Sequence, residues 1–181
     1  HTADSPNYLF VDCEISKNAL AGSYPIDIKK DNKTLHHIDY KLDSRTPNSA
    51  NRPSYSTKDV IYLITPDRFA NGDPSNDAAP GYREPNPARN EMYGRHGGDL
   101  KGIIDRLPYI HDMGFTAIWN MPVLANDQAK ESYHGYAITD HYLIDPRFGT
   151  NAQYKELAEK ASQKGIKLVM DVVLNHCGDG H

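Results

Sequence analysis

The side chains best suited to chemistry fall into three groups. Tyr133–Tyr142 reads YHGYAITDHY and gathers three Tyr, two His and Asp140. Flat tyrosine faces with a polar tip suit stacking on sugar rings, and His and Asp can hydrogen-bond vicinal hydroxyls. His134 and Tyr136 are therefore candidate sugar contacts, with Asp140 a candidate organising group; Tyr133 and Tyr142 also suit plain packing. Zinc is a poor reading, because His134 and His141 lack i, i+4 spacing and no Cys or Glu joins them at a ligand-like interval. The second group is KLVMDVVLNH, Lys167–His176, where Asp171 interrupts an apolar run that ends on Asn175 and His176. A carboxylate there is either a satisfied core group or part of a site, and these residues leave both open. A thiol nucleophile at Cys177, with His176 or His181 as its base, has no spacing to support it.

The third group lies in TPDRFANGDPSND. Asn71, Asp73, Asn76 and Asp77 place four oxygen-bearing side chains around Gly72 and Pro74, and Asp99 follows beside Gly97 and Gly98. Hard cations such as Ca²⁺ take six to eight oxygens. Three carboxylates, two amides and a glycine carbonyl meet that demand, and an ion would staple the ends of a long loop. The stretch is not an EF-hand, since the twelfth position from Asn71 is Tyr82 rather than Glu. A hydrated Asx-rich turn is the alternative. HGGDLKG has two glycines at phosphate-loop separation, but Ile103 stands where the lysine belongs.

Elements that could position these groups are legible from pattern. Tyr8–Ile15, Tyr24–Ile28 and Leu35–Leu42 read as short strands without helices, the end of a β-rich module over residues 1–44. Ser44–Thr57, rich in Ser, Pro and Asn, reads as a linker, taken as residues 45–58. Val60–Ile64 is a buried-strand candidate. Asp99 caps a helix predicted over Leu100–Met113, Gly114 ends it, and Phe115–Trp119 forms the next strand. Thr150 and Gln153 make a capping box before a helix striped by Tyr154, Leu157, Ala158 and Ala161; Gly165 closes it. Lys167–His176 then reads as a strand buried on both faces. The β-α-β-α-β order over residues 59–181 predicts a parallel α/β sheet. Thr65–Gly98 and Asn120–Gly149 run to about thirty residues each, where such connections usually take about 2–6. Length on one side of a sheet marks the functional side.

A net charge of -4 without a Lys/Arg run gives no footprint for nucleic acid. No stretch approaches the ~20 apolar residues of a membrane span. Cys13 and Cys177 imply no disulfide framework. The chain begins without Met, which suits a processed segment of a periplasmic or secreted protein, with the cytoplasm as the alternative. Tyr outnumbers Phe by 12 to 4, in keeping with carbohydrate sites and equally with ordinary β-proteins.

Four blocks together resemble the α-amylase family of glycoside hydrolases, and within it the cyclomaltodextrinase/neopullulanase branch: IYLITPDRFANGDPSND, GGDLKGIIDRLPYIHDMGFTAIW, YHGYAITDHYLIDPRFGT and DVVLNH. The β-rich start is similar to the tail of that branch's N-terminal module. The resemblance implies a (β/α)8 TIM barrel, of which this chain would hold the first three strands. It implies Ca²⁺ on Asn71, Asp73, Asn76, Asp77, Gly97 (through its carbonyl) and Asp99. It implies that Tyr136 stacks on the sugar at the cleavage point, that His134 and His176 contact that sugar, and that Asp171 is a buried aspartate organising the site. Asn175 matches a position that binds a different calcium in true α-amylases, and Ala137 stands where many of them carry an aromatic residue. The implied reaction is hydrolysis of α-1,4-glucosidic bonds with retention, using two carboxyl groups about 5 Å apart. The family's catalytic carboxylates lie beyond His181, so no catalytic residue is expected here and the segment alone should be inactive. Substrates would be cyclodextrins, pullulan, maltooligosaccharides or starch, and the branch admits a homodimer. A non-catalytic α-glucan-binding or partner-binding relative is the main rival. A nucleotide-binding domain is disfavoured, because no glycine fingerprint follows Val60–Ile64.

Overall fold

The computed structural model describes residues 9–181. The chain divides into two units, His1–Ser54 and Tyr55–His181, and the division falls inside the stretch read as a linker.

In the first unit, β1 (Gly22–Lys30) pairs antiparallel with β2 (Lys33–Leu42). Asp31 and Asn32 join them with φ of 50° and 61°, the double left-handed turn whose twist matches flanking strands. Tyr24 opposes Tyr40 and Ile26 opposes Ile38, so one face is apolar, while Asp27, His37 and Asp39 share the other. The expected strand at Tyr8–Ile15 does not form over its described part. Tyr8 lies outside the described residues, and Leu9–Ile15 is exposed with one isolated bridge at Leu9.

The second unit is a parallel sheet of β3 (Ile61–Ile64), β4 (Ala117–Asn120) and β7 (Lys167–Met170), in the order β3-β4-β7. Helices α1 (Pro66–Phe69), α2 (Leu100–Asp105) and α3 (Leu107–Asp112) lie between the first two strands in sequence, and α4 (Asn151–Gln163) between the last two. Ile64 and Ile118 pack with Leu100, Ile103, Leu107, Ile110, Phe148 and Leu157 into one core, where full burial of each such side chain contributes about 1.5–3 kcal/mol. The opposite sheet face leaves Ile61, Leu63 and Trp119 substantially exposed.

The helix read over Leu100–Met113 is two helices. Pro108 has no N–H to donate to the Ile104 carbonyl, so the chain breaks at Arg106 (φ −99°, ψ 5°) and restarts. At α4 the capping box forms as expected: Thr150 Oγ1 accepts the Gln153 N–H at 3.1 Å and Gln153 Oε1 accepts the Thr150 N–H at 3.0 Å. The last strand is shorter than the apolar run suggests. It stops at Met170 and is half-buried rather than covered on both faces, because the following residues turn over the second long loop. There Gly178 N–H donates to Ile138 O at 2.8 Å, and His141 Nε2 reaches Val173 O at 3.2 Å. That loop has its own sheet, β5 (Leu124–Ala125) paired with β6 (Asp140–Ile144), which the sequence pattern did not reveal. No described helix is long and apolar enough to cross a membrane.

Candidate functional site

Four of the predicted residues meet just past the C-terminal ends of β4 and β7. Tyr136 Oη donates to Asp171 Oδ2 at 3.1 Å, and Trp119 Nε1 donates to the same oxygen at 3.1 Å. The His134 and Tyr136 rings stack with centroids 5.8 Å apart and planes 28° from parallel. His176 Nε2 lies 2.9 Å from Tyr136 O. A carbonyl can only accept, so that nitrogen carries the proton. Asn175 Nδ2 lies 3.2 Å from His176 Nδ1 and supplies the complementary donor. His176 Nε2 thus holds the Tyr136 backbone, while the Asn175 amide on Nδ1 orients the ring.

Asp171 differs from expectation. It stands one residue past β7 and is half-exposed rather than buried, because the strand has ended and the chain is turning. The Trp119 and Tyr136 donors satisfy it, so it sets the tilt of both rings. Asp140 opens β6 at the surface, where its Oδ1 accepts the Tyr142 N–H at 2.7 Å. Its carboxylate caps that turn.

Local backbone explains the platform. Ser132–His134 is a single 3-10 turn flanked by Glu131 (φ 60°) and Gly135 (φ 79°), both left-handed. A Cβ on Gly135 would fall onto the Pro122 carbonyl oxygen, so only glycine allows the chain to pass there. His134 Nδ1 accepts the Tyr136 N–H at 2.9 Å, which leaves Nε2 as the proton-bearing nitrogen. Burial holds the His134 pKa below its ordinary 6.5, against the opposing pull of Glu131 and Glu84. A neutral ring donating from Nε2 suits a hydroxyl oxygen. Burial and then the Asp171 bond raise the Tyr136 phenol, so it stays a donor at neutral pH.

The loop that the sequence offers for a cation is closed by hydrogen bonds. Asp99 is fully buried; its Oδ1 caps α2 at Gly102 N (2.6 Å) and accepts Gly72 N–H (3.0 Å), while Oδ2 accepts Asp73 N–H (2.8 Å). Asp73 turns to Ser75, and Asp77 to Asn71 and Arg89. A Cβ on Gly97 would lie 2.5 Å from Asp77 Oδ1, so these two pack directly together. Asn76 Oδ1 is buried without a hydrogen-bond partner. Among the described residues, no group of three His, Cys, Asp or Glu converges as a metal cluster. The donor types still fit a hard cation, and the unpartnered Asn76 oxygen is the atom that most needs one.

Sequence reasoning missed a buried polar lattice beneath the platform. Arg147 and Asp145 are fully buried and paired two-fold, Nε to Oδ1 at 2.9 Å and Nη2 to Oδ2 at 2.7 Å. Arg147 also donates to Glu84 O at 2.7 Å and Asn126 O at 2.8 Å, and its guanidinium lies 4.4 Å from the Tyr82 ring centroid. Arg95, also fully buried, lies over Phe148 and reaches Ser132 Oγ at 3.4 Å. Burial, then the Arg147 charge, lowers its pKa. The available signal was Asp145-Pro-Arg147 set between apolar Ile144 and Phe148. Trp119 was read only as a strand end.

A parallel α/β sheet with a ring-and-carboxylate cluster at its strand ends is an arrangement glycosidases use. The profile described as "Alpha amylase, catalytic domain" matches residues 63–181, and "Cyclomaltodextrinase, N-terminal" matches residues 1–46. Neopullulanase 2 of Thermoactinomyces vulgaris is 43% identical over 127 residues, covering 70% of this chain and 21% of its own. The periplasmic alpha-amylase of Escherichia coli is 36% identical over 130 residues, covering 66% and 19%. The crystal structure of an Anoxybacillus alpha-amylase aligns with a TM-score of 0.62 at 44% identity, covering 68% of this chain and 25% of that one. The chain belongs to the alpha-amylase family of glycoside hydrolases. It spans between about a tenth and a quarter of the length of the curated relatives it matches.

Proposed function

We propose that the natural polypeptide carrying this sequence hydrolyses α-1,4-glucosidic bonds in starch-derived glucans with retention of configuration, and that this segment holds the sugar. The observation that carries the reading is the convergence of His134, Tyr136, Asp171 and His176 on one patch of a chain of this family. Tyr136 offers a stacking face, His134 an Nε2 donor, and Asp171 a carboxylate that fixes the ring. The catalytic carboxylates would stand on later strands of a (β/α)8 barrel whose first three strands are β3, β4 and β7. Substrates would be cyclodextrins, pullulan or maltooligosaccharides.

Ca²⁺ would be held by Asn71, Asp73, Asn76, Asp77, the Gly97 carbonyl and Asp99, supplying charge that ties the two ends of the first loop. The buried Asn76 oxygen supports this assignment. A periplasmic or secreted location is proposed from the periplasmic relative, and a homodimer is the proposed assembly.

The test is turnover of cyclodextrin, pullulan and maltoheptaose by the natural polypeptide, with the product anomer read by NMR. An α-anomer released first supports retention; a β-anomer refutes it. Tyr136→Ala should weaken maltoheptaose binding at least tenfold, since loss of a ring contact of this kind costs about 1.4 kcal/mol or more. Glucan binding without turnover would replace the hydrolase reading with a binding protein.

A further inference from the structure

We infer that Glu84, on the first long loop, is a positioning residue for the Tyr136 platform on the second, acting through Ser132. The inference rests on the sugar-holding role proposed for Tyr136. Ser132 opens the 3-10 turn that carries His134, so its N–H has no partner within that turn. Ser132 is fully buried, and Glu84 Oε2 accepts that N–H at 2.8 Å. Its other polar atoms are held as well: Oγ by Arg95 Nη1 at 3.4 Å, and the carbonyl by Asn126 Nδ2 at 3.2 Å and Gly135 N–H at 3.3 Å. Glu84 is itself fixed, because its carbonyl accepts from Arg147 Nη1 at 2.7 Å.

The turn transmits displacement. Ser132–His134 is a single turn held between the left-handed Glu131 and Gly135, and Gly135 packs directly against Pro122. A shift at Ser132 therefore moves the His134 ring and, through the His134 Nδ1 bond, the Tyr136 N–H. Tyr136 then loses its alignment with Asp171. Glu84 touches none of the sugar-facing atoms, yet it decides where they stand. Misplacing a binding group by about 1 Å is enough to cost a large factor in function.

The experiment measures maltoheptaose affinity and KM in the natural polypeptide for Glu84→Ala, Glu84→Asp, Glu84→Gln and Tyr136→Ala, each well below its unfolding midpoint. Glu84→Ala, which lacks the acceptor, and Glu84→Asp, which is one methylene too short, should each raise KM about tenfold, the effect of losing one hydrogen bond to a charged group. Glu84→Gln retains an acceptor oxygen at the same reach and should stay within about threefold of wild type. That order of rescue is not expected of a residue that only stabilises the fold. If Glu84→Ala does not fold, the Asp/Gln pair decides. Wild-type affinity in Glu84→Asp, with a weakened Tyr136→Ala, overturns the positioning role alone. Wild-type affinity in Tyr136→Ala overturns the sugar-site reading and this inference with it.

Discussion

Replacing Arg147 gives the sharpest test of how this segment is held together. Its guanidinium makes two charge-assisted bonds to Asp145 and one each to the carbonyls of Glu84 and Asn126, with both charged side chains fully buried. Removing one member of such a pair leaves the other charge stranded, which costs about 3–5 kcal/mol. Arg147→Ala should therefore lower unfolding free energy by that amount. Arg147→Lys keeps the charge but cannot fork to both Asp145 oxygens and two carbonyls; losing two charge-assisted bonds at about 1.5 kcal/mol each predicts a cost of about 3 kcal/mol. Asp145 also accepts the backbone N–H groups of Arg147 and Asn126, so Asp145→Ala should be at least as damaging. The Asp145→Ala/Arg147→Ala double variant should cost less than the sum of the singles by about 1–3 kcal/mol, because each single already breaks the shared pair. Urea unfolding of the natural polypeptide, followed by circular dichroism, measures all four. Single-variant losses under about 1 kcal/mol, or an Arg147→Lys variant as stable as wild type, would falsify the claim that this lattice carries the loops.

Further outcomes follow from the same geometry. Gly135→Ala must move the Pro122 carbonyl and place a side chain at φ 79°, so it should destabilise by about 2–4 kcal/mol and weaken glucan binding, read by unfolding and calorimetry. Adding Ca²⁺ at a hundred times its Kd should raise unfolding free energy by about 2.7 kcal/mol; no shift, or the same shift in Asp77→Asn/Asp99→Asn, rejects the assigned ligands. Asp59, held by Lys167 Nζ and then the Ser56 N–H, has its pKa lowered from 3.8 to about 2. Because that pKa is depressed, its stabilisation is present above pH 3.8 and lost as pH falls towards about 2; Asp59→Asn should flatten that acid limb in urea unfolding. The His134 ring should titrate below 6.5 by NMR, with stability rising as pH climbs through the window just beneath that value.

The sequence alone determined the parallel α/β class, the capping box at Thr150 and the Asp99 cap, and it singled out His134, Tyr136, Asp171 and His176, which the fold brings together. Each of these rests on local chemistry: an apolar period, an oxygen three residues before an N–H, or a cluster of rings in one short stretch. The break at Arg106 was missed by the reading of one helix over Leu100–Met113, although its cause, Pro108, is equally local. Tertiary structure decided the rest. The run at Lys167–His176 is apolar over Leu168–Met170 and again over Val172–Leu174, but strand pairing ends where β4 ends, at the Asn120–Met170 pair. Asp171 interrupts the run at that limit, yet Val172–Leu174 resume it, so the apolar pattern alone does not say where pairing stops. Asp171 became a half-exposed acceptor for Trp119 and Tyr136 only because two distant segments meet there. The Glu84–Ser132 and Arg147–Asn126 bonds span 48 and 21 residues, separations at which one-dimensional spacing carries no signal. What joins such groups is the need of every buried donor and charge for a partner, a condition met only once the chain has folded.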